Sequence, residues 1–250
     1  MQFIWENIKI YYETIGHKAP VIVLHGWGAN HKSFNKLASL LQSKYQVYLI
    51  DLPGFGKSEE PLKPYNLNDY VRFLKDFIET NKLENPILIG HSFGGRIAIR
   101  YGINNPVNKL ILISSAGIKR FSLKTKCKIF IYKLRKFYYK TTKKEDLLEK
   151  LINSSGSSDY QASSSIMKQT MNKIIKENQR KELAKIECET LLIWGKKDKT
   201  TPYKDGKVMR RKIKNSGLVT LKKSGHFPYI DEEYTFNQVI KFYLQVSDYQ

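Results

Sequence analysis

Cysteine is scarce: Cys127 and Cys188 are the only two in 250 residues. They stand apart from each other and from histidine, which excludes a disulfide framework and a Cys/His metal site and fits a reducing, cytoplasmic setting. Long apolar runs are missing too, none approaching the roughly 18 residues of a membrane span. The opening residues Met1-Gln2-Phe3-Ile4-Trp5 lack the basic stretch and apolar segment of a secretory signal. No repeat of fixed period is visible, which excludes solenoids and propellers. Acidic residues are few, 23 Asp and Glu against 43 Lys and Arg, giving a net charge of +20. Such a field suits an anionic partner, although the joint abundance of Lys, Ile, Asn, Tyr and Phe also fits an AT-rich coding sequence. No recognition module accompanies the charge, so nucleic acid is not expected as a partner. Hydrophobic residues at 41% suffice for a sizeable buried core.

Short apolar runs alternate with amphipathic segments. Strands are expected at 8–14, 21–24, 45–50, 86–90, 109–114, 190–194 and 218–221, and helices at 32–42, 68–81 with Asn68 as N-cap, 94–102 and 235–246. This order predicts an α/β fold with a mostly parallel central sheet covered by helices on both faces.

Residues 118–186 break the pattern. They contain no buried-strand run, and their 18 basic and 6 acidic residues carry 12 of the 20 net charges; residues 118–144 hold 11 basic residues and no acidic one. The serine-rich stretch 153–158 reads as a mobile turn. A helical lid at 118–186, inserted into a core of residues 1–117 and 187–250, follows, because ligands in open α/β sheets bind beyond the carboxyl ends of the strands. In the basic stretch Phe121, Leu123, Ile129, Phe130, Ile131, Tyr132, Leu134, Phe137, Tyr138 and Tyr139 interleave with lysine, so an amphipathic lid helix is expected whose apolar side covers the pocket. The alternative is docking on an anionic lipid surface or an acidic carrier protein.

Gly90-His91-Ser92-Phe93-Gly94 is a G-x-S-x-G sequence where a strand gives way to a helix. By itself the pattern is common; its context is that of a nucleophile elbow, a sharp turn with small residues two positions either side of a raised serine. A serine hydroxyl needs a base held by a carboxylate. His226 is the one histidine downstream, and Asp198 directly follows the apolar run ending at Trp194; Asp205 and Asp231 are poorer candidates. An oxyanion hole needs preset N–H donors. His25-Gly26-Trp27-Gly28 ends an early strand, and the amides of Trp27 and Phe93 are the expected pair.

The chain resembles serine hydrolases of the α/β-hydrolase fold, in the capped branch that includes carboxylesterases, carbon–carbon bond hydrolases and pimeloyl-carrier methyl ester esterases. HGWG at 25–28, DLPGFGKS at 51–58, GHSFGG at 90–95, GKKDKTTP at 195–202 and GHFPYIDEE at 225–233 carry the likeness over nearly the whole chain. It implies Ser92 as nucleophile, His226 as general base and acid, and Asp198 as the acid that orients it. A serine at the elbow argues against haloalkane dehalogenases and epoxide hydrolases, which use a carboxylate there.

His25 and Asp51 are read as structural, His91 as packing or pocket wall, and His17 and His31 as surface residues. Phe34, His91, Met167, Met171 and Phe227 are expected pocket residues, the two methionines sharing a helical face or packing in the core. The function expected is hydrolysis of a small-molecule carboxylic ester or thioester through an acyl-enzyme on Ser92, by a monomeric or weakly associating enzyme without metal or organic cofactor. Carbon–carbon bond hydrolysis with the same triad, a non-catalytic ligand-binding protein on the same scaffold, and a scaffold docking through its basic lid are the alternatives.

Overall fold

The computed structural model describes residues 1–119, 123–153 and 158–246. Within them, β1 (Gln2–Trp5), β2 (Ile8–Ile15), β3 (Ala19–Leu24), β4 (Tyr45–Ile50), β5 (Ile87–His91), β6 (Lys109–Ile113), β7 (Glu189–Gly195) and β8 (Ser216–Leu221) form one sheet of order β1-β2-β4-β3-β5-β6-β7-β8. The first two strands pair antiparallel, as do β2 and β4; every later pair is parallel. The central strands read as continuous Val, Ile and Leu because both faces are covered. Side chains alternate across the sheet. Ile22 and Leu24 therefore join a core with Phe73, Phe77, Ile97 and Trp194, while Val21 and Val23 join a second one with Leu37, Leu41, Ile240 and Leu244.

The helices are α1 (Asn35–Leu41), α2 (Leu67–Thr80), α3 (Phe93–Asn104), α4 (Leu123–Thr141), α5 (Glu145–Asn153), α6 (Ser158–Ala162), α7 (Ser165–Ile174), α8 (Tyr203–Lys212), α9 (Pro228–Asp231) and α10 (Glu233–Leu244). On one face α2 and α3 cover the sheet; on the other, α1 and α10 do. Phe73 and Phe77 of α2 are fully buried, and burying each contributes about 1.5–3 kcal/mol.

The expected mostly parallel sheet is present, with local corrections. The first helix opens as a 3₁₀ turn, His31–Phe34. Asn66, not Asn68, caps α2: its side chain accepts from the amides of Asn68 and Asp69, and Asp69 answers by accepting from the Asn66 amide. Three elements were not anticipated, among them the single turn α9. β1 is a short edge strand lacking turn signals on its N-terminal side, and α8 is so rich in basic residues that only Met209 shows its apolar stripe.

Between β6 and β7 the described elements are α4, α5, α6, α7 and two 3₁₀ turns, Gln179–Lys181 and Leu183–Lys185. In this segment α7 seats Met167, Thr170 and Ile174 inward, and Thr170 Oγ1 accepts from the Tyr65 amide at 3.0 Å. Arg96 of α3 donates to the carbonyls of Ile174 and Glu177, and Gln179 donates back to the Arg96 carbonyl. The expectation that α4 turns its apolar side onto a pocket fails for its described side chains. Phe130, Ile131, Leu134, Phe137 and Tyr138 are all at least half exposed, because α4 packs chiefly against α5 and stands away from the sheet. Residues 154–157 of the serine-rich stretch, Phe121, and the side chains of Leu123, Cys127 and Ile129 lie outside the described residues. Cys188 is a free thiol, as its isolation suggested, with burial pushing its pKa up. Among the described residues, no helix is long and apolar enough to cross a membrane.

Candidate active site

Parallel register brings the strand ends to one edge. Leu24 pairs with Gly90, His91 with Ile113, and Gly195 with Leu221. The loops leaving β3, β4, β5, β7 and β8 therefore emerge side by side, and all five sequence motifs begin there.

Ser92 sits between β5 and α3 at φ 50° and ψ −107°, a conformation that costs a non-glycine residue about 1–3 kcal/mol. Three hydrogen bonds hold it: its amide donates to Ile113 O at 3.1 Å, and its carbonyl accepts from Ala116 N at 2.9 Å and Arg96 N at 3.2 Å. A Cβ on Gly94 would lie 2.1 Å from Leu24 O, so only glycine lets α3 start this close to β3.

The loop after β8 returns His226 to the serine. His226 Nε2 is 3.0 Å from Ser92 Oγ, and Nδ1 is 2.9 Å from Asp198 Oδ2. A carboxylate only accepts, so the proton sits on Nδ1 and leaves Nε2 free to accept from the serine hydroxyl. Gly195 permits the approach of the two loops, since a Cβ there would meet Gly225 O at 1.9 Å. Asp198 is nearly inaccessible. Its Oδ1 accepts from the amides of Thr200 at 2.8 Å and Thr201 at 2.9 Å, and Thr201 Oγ1 lies 2.8 Å from Oδ2. Burial alone would push this carboxyl up, but the hydrogen bond and charge of His226, with the Thr201 donors, outweigh it and hold the pKa below the usual value.

The His226 loop is itself clamped. Glu232 Oε2 accepts from the amides of Lys223 and Ser224 and from Ser224 Oγ, and Asp231 Oδ2 accepts from Gly225 N at 2.7 Å. His91 Nε2 donates to the His226 carbonyl at 2.9 Å. Thr201 and Glu232 were missed in the sequence; both stand inside recognised motifs, where only the folded loops show which donors face them.

Across from the serine, His25 fixes the HGWG loop as a neutral ring. Its Nδ1 donates to Gly26 O at 2.7 Å and its Nε2 accepts from Leu52 N at 3.0 Å. Burial pushes its pKa down to about 4 against the opposing pull of the Gly26 carbonyl. Among the described residues no acceptor takes the amide N–H of Trp27 or of Phe93, and their rings meet at 5.2 Å.

The remaining expected residues scatter. His91 is 1% exposed and backs the His226 ring from 4.8 Å, so it supports the site from behind and is no pocket wall; burial and His226 push its pKa down to about 3. Phe34 does not line the cavity beside Trp27: the 3₁₀ turn points it into the α1 and α10 core against Tyr229, where it borders a separate cavity of about 270 Å³. Phe227 is 44% exposed beside the His226 ring. Met167 is buried and lines a cavity of about 440 Å³ with Trp27, Gly28, Gly54, Phe55 and Glu60. Met171, one turn on, is half-buried and does not line that cavity. Asp51 is structural as expected, accepting from the amides of His31 at 2.6 Å and Lys57 at 2.8 Å. His31 corrects its expected surface place: it is 3% exposed, with Nδ1 2.9 Å from both Asp51 oxygens. Its partner lay twenty positions downstream, where no local signal joins the two. His17 is exposed, and Asp205 is buried at the start of α8. Among the described residues no group of three His, Cys, Asp or Glu side chains is placed to hold a metal ion.

Comparisons with known proteins bear on the family and the fold. The family described as alpha/beta hydrolase fold matches residues 19–147, and one described as TAP-like protein matches residues 158–249. AB hydrolase superfamily protein YisY of Bacillus subtilis (strain 168) is 32% identical, covering 94% of this chain and 95% of its own. The pimeloyl-[acyl-carrier protein] methyl ester esterase of Proteus mirabilis (strain HI4320) is 26% identical over 93% of this chain and 95% of its own. Among solved structures, the esterase EaEST from Exiguobacterium antarcticum superposes with a TM-score of 0.76 at 29% identity, covering 95% of this chain and 96% of that one. By sequence and fold alike, the chain belongs to the α/β-hydrolase fold family.

Proposed function

We propose that the protein is a cytoplasmic serine hydrolase that cleaves carboxylic esters or thioesters through an acyl-enzyme on Ser92. The observation that carries this reading is the continuous line Ser92 Oγ, His226, Asp198, with 3.0 Å and 2.9 Å at its two links. Ser92 Oγ attacks the carbonyl carbon while His226 Nε2 takes the hydroxyl proton. Asp198 holds the ring in the required tautomer and stabilises its cationic form. Negative charge gathers on the carbonyl oxygen, and the Trp27 and Phe93 amides are its donors. The tetrahedral intermediate collapses as His226 returns the proton to the leaving alcohol or thiol. Water, deprotonated by the same nitrogen, then releases the acid and restores Ser92.

The cavity beside Trp27 supports esters over carbon–carbon substrates. Trp27, Phe55 and Met167 supply apolar walls, and among the described residues Glu60 is the one charged group lining it; a carboxylate-bearing substrate would meet repulsion there. Alignment of His226 speaks for turnover and against a purely ligand-binding role. The test is hydrolysis of p-nitrophenyl esters of increasing acyl length by wild type and by Ser92→Ala. Loss of a triad nucleophile costs about 10⁶-fold in kcat in a comparable enzyme, so chain-length-dependent activity that disappears in Ser92→Ala is expected. Equal, negligible rates for both proteins across the series would overturn the ester reading.

A further inference from the structure

The surface of α4 has a pattern that neither the sheet nor the active site uses. Phe130, Ile131, Leu134, Phe137 and Tyr138 are 63%, 50%, 52%, 69% and 51% exposed. At helical spacing these positions fall within one arc of about 120°. The opposite side carries Tyr132 and Tyr139, which are half-buried, so α4 turns its tyrosine side toward the molecule and its larger apolar stripe outward. Lys133 and Lys140 border the stripe on one flank and Arg135 on the other, and all three are exposed. An apolar stripe edged by cations is the pattern of a helix lying in a lipid–water interface.

We propose that α4 docks this protein on an anionic lipid surface, its apolar stripe entering the headgroup boundary and its basic flanks resting on acidic headgroups. Charge complementarity selects this occupant. Residues 118–144 hold 11 basic residues and no acidic one, so two copies meeting through α4 would bring like charges together within a Debye length. An anionic bilayer instead supplies both a sheet of opposite charge and an apolar layer beneath it. The stripe lies along one face of a helix, a convex surface, and suits a deformable layer better than the shaped surface of an acidic protein. The proposal stands apart from the hydrolytic reading, because docking requires nothing of Ser92.

The test is sedimentation with vesicles of phosphatidylcholine alone and of phosphatidylcholine mixed with phosphatidylglycerol, at low and high salt. Wild type and Ser92→Ala are both expected to pellet with the anionic vesicles, to stay in solution with the neutral ones, and to be released as salt rises. Removing three charges in the Lys133→Gln, Arg135→Gln, Lys140→Gln variant is expected to weaken binding by about 100-fold, at roughly fivefold per charge. The Phe130→Ser, Phe137→Ser variant is expected to lose binding while retaining wild-type hydrolysis of a soluble ester, which reports an intact fold. In Phe137→Trp the tryptophan emission is expected to shift blue with anionic vesicles. Absence of pelleting, equal pelleting with neutral vesicles, or binding indifferent to Phe130→Ser, Phe137→Ser with an unshifted Phe137→Trp would each overturn the proposal. So would sedimentation analysis showing lipid-free self-association that the same two serines abolish, or capture of an acidic carrier protein without vesicle binding. Loss of ester hydrolysis in Ser92→Ala together with unchanged vesicle binding separates this question from the catalytic one.

Discussion

Replacing Asp198 by asparagine tests the proposed chemistry with the smallest change in shape. Oδ1 of Asp198 accepts from two amides, while Oδ2 faces Thr201 Oγ1 at 2.8 Å and His226 Nδ1 at 2.9 Å. Asparagine can keep the first set with its carbonyl oxygen. Its amide N–H₂ then points at His226 Nδ1, which must give up its own proton to accept. The ring proton moves to Nε2, and the group facing Ser92 becomes a donor that cannot take the serine proton. In a serine protease the corresponding change lowers kcat by about 10⁴, equivalent to about 5.5 kcal/mol of transition-state stabilisation. A similar loss in kcat/KM on a p-nitrophenyl ester is expected for Asp198→Asn, with KM nearly unchanged. The fold should survive, since Thr201 Oγ1 can rotate to accept and still donate to Ser114 O at 2.8 Å; a cost of about 1–2 kcal/mol in urea denaturation is expected at neutral pH. The wild-type carboxyl has its pKa lowered from 3.8 in the folded state. Its contribution to stability is present above that unfolded value and is lost as pH falls through the lower folded one. The stability gap between wild type and Asp198→Asn should therefore close at the acid end. Activity within tenfold of wild type in a folded Asp198→Asn protein would refute the tautomer argument.

Three further outcomes follow from the site's supports. His25 and His91 are neutral in the fold, with pKa values pushed down to about 4 and about 3 from 6.5; the unfolded chain binds more protons below pH 6.5, so stability should decline as pH falls from there toward 4. His91→Gln keeps the donor to the His226 carbonyl without a titrating ring and should make that decline shallower in denaturation measured across the range; an unchanged slope would remove His91 from the account. Ser92→Gly relieves the positive φ while Ser92→Ala retains it, so the glycine variant should be more stable by about 1 kcal/mol once its greater unfolded-state entropy is deducted, and equal melting midpoints would contradict the strain. Asp51→Ala removes the acceptor that the His31 amide and ring nitrogen share in a buried site, and that of the Lys57 amide, which should cost about 3 kcal/mol or more in urea unfolding; a loss below about 1 kcal/mol, the ordinary value for a point mutation, would show that water or another group replaces the carboxylate.

The central strands were legible because burial on both faces leaves runs such as 21–24 and 191–194 with no competing reading. Ser92, Asp198 and His226 were legible because each follows such a run and the parallel register delivers all three to one edge. What the sequence hid depends on contacts between distant loops. His31 looked solitary until Asp51 was placed beside it, and Phe34 looked like pocket lining until the 3₁₀ turn rotated it into the core. The direction of the α4 stripe was hidden for a different reason. Helical periodicity gives the width of an apolar face and says nothing of whether the molecule or the outside world receives it.

The segment between β6 and β7 leaves and rejoins the sheet at almost one point. Gln179 N donates to Gly117 O at 2.8 Å, and Lys119 N to Asn178 Oδ1 at 3.2 Å. Arg96 ties it to α3 through the carbonyls of Ile174 and Glu177, and Arg100 through the Glu177 carboxylate at 3.2 Å. Such a segment behaves as a cartridge. Residues 118–178 could be exchanged for the corresponding piece of another hydrolase, joined at Gly117 and Gln179, without moving a strand. Substrate preference and surface attachment could thus change together in one genetic event while the strained serine and its partners stay where they are.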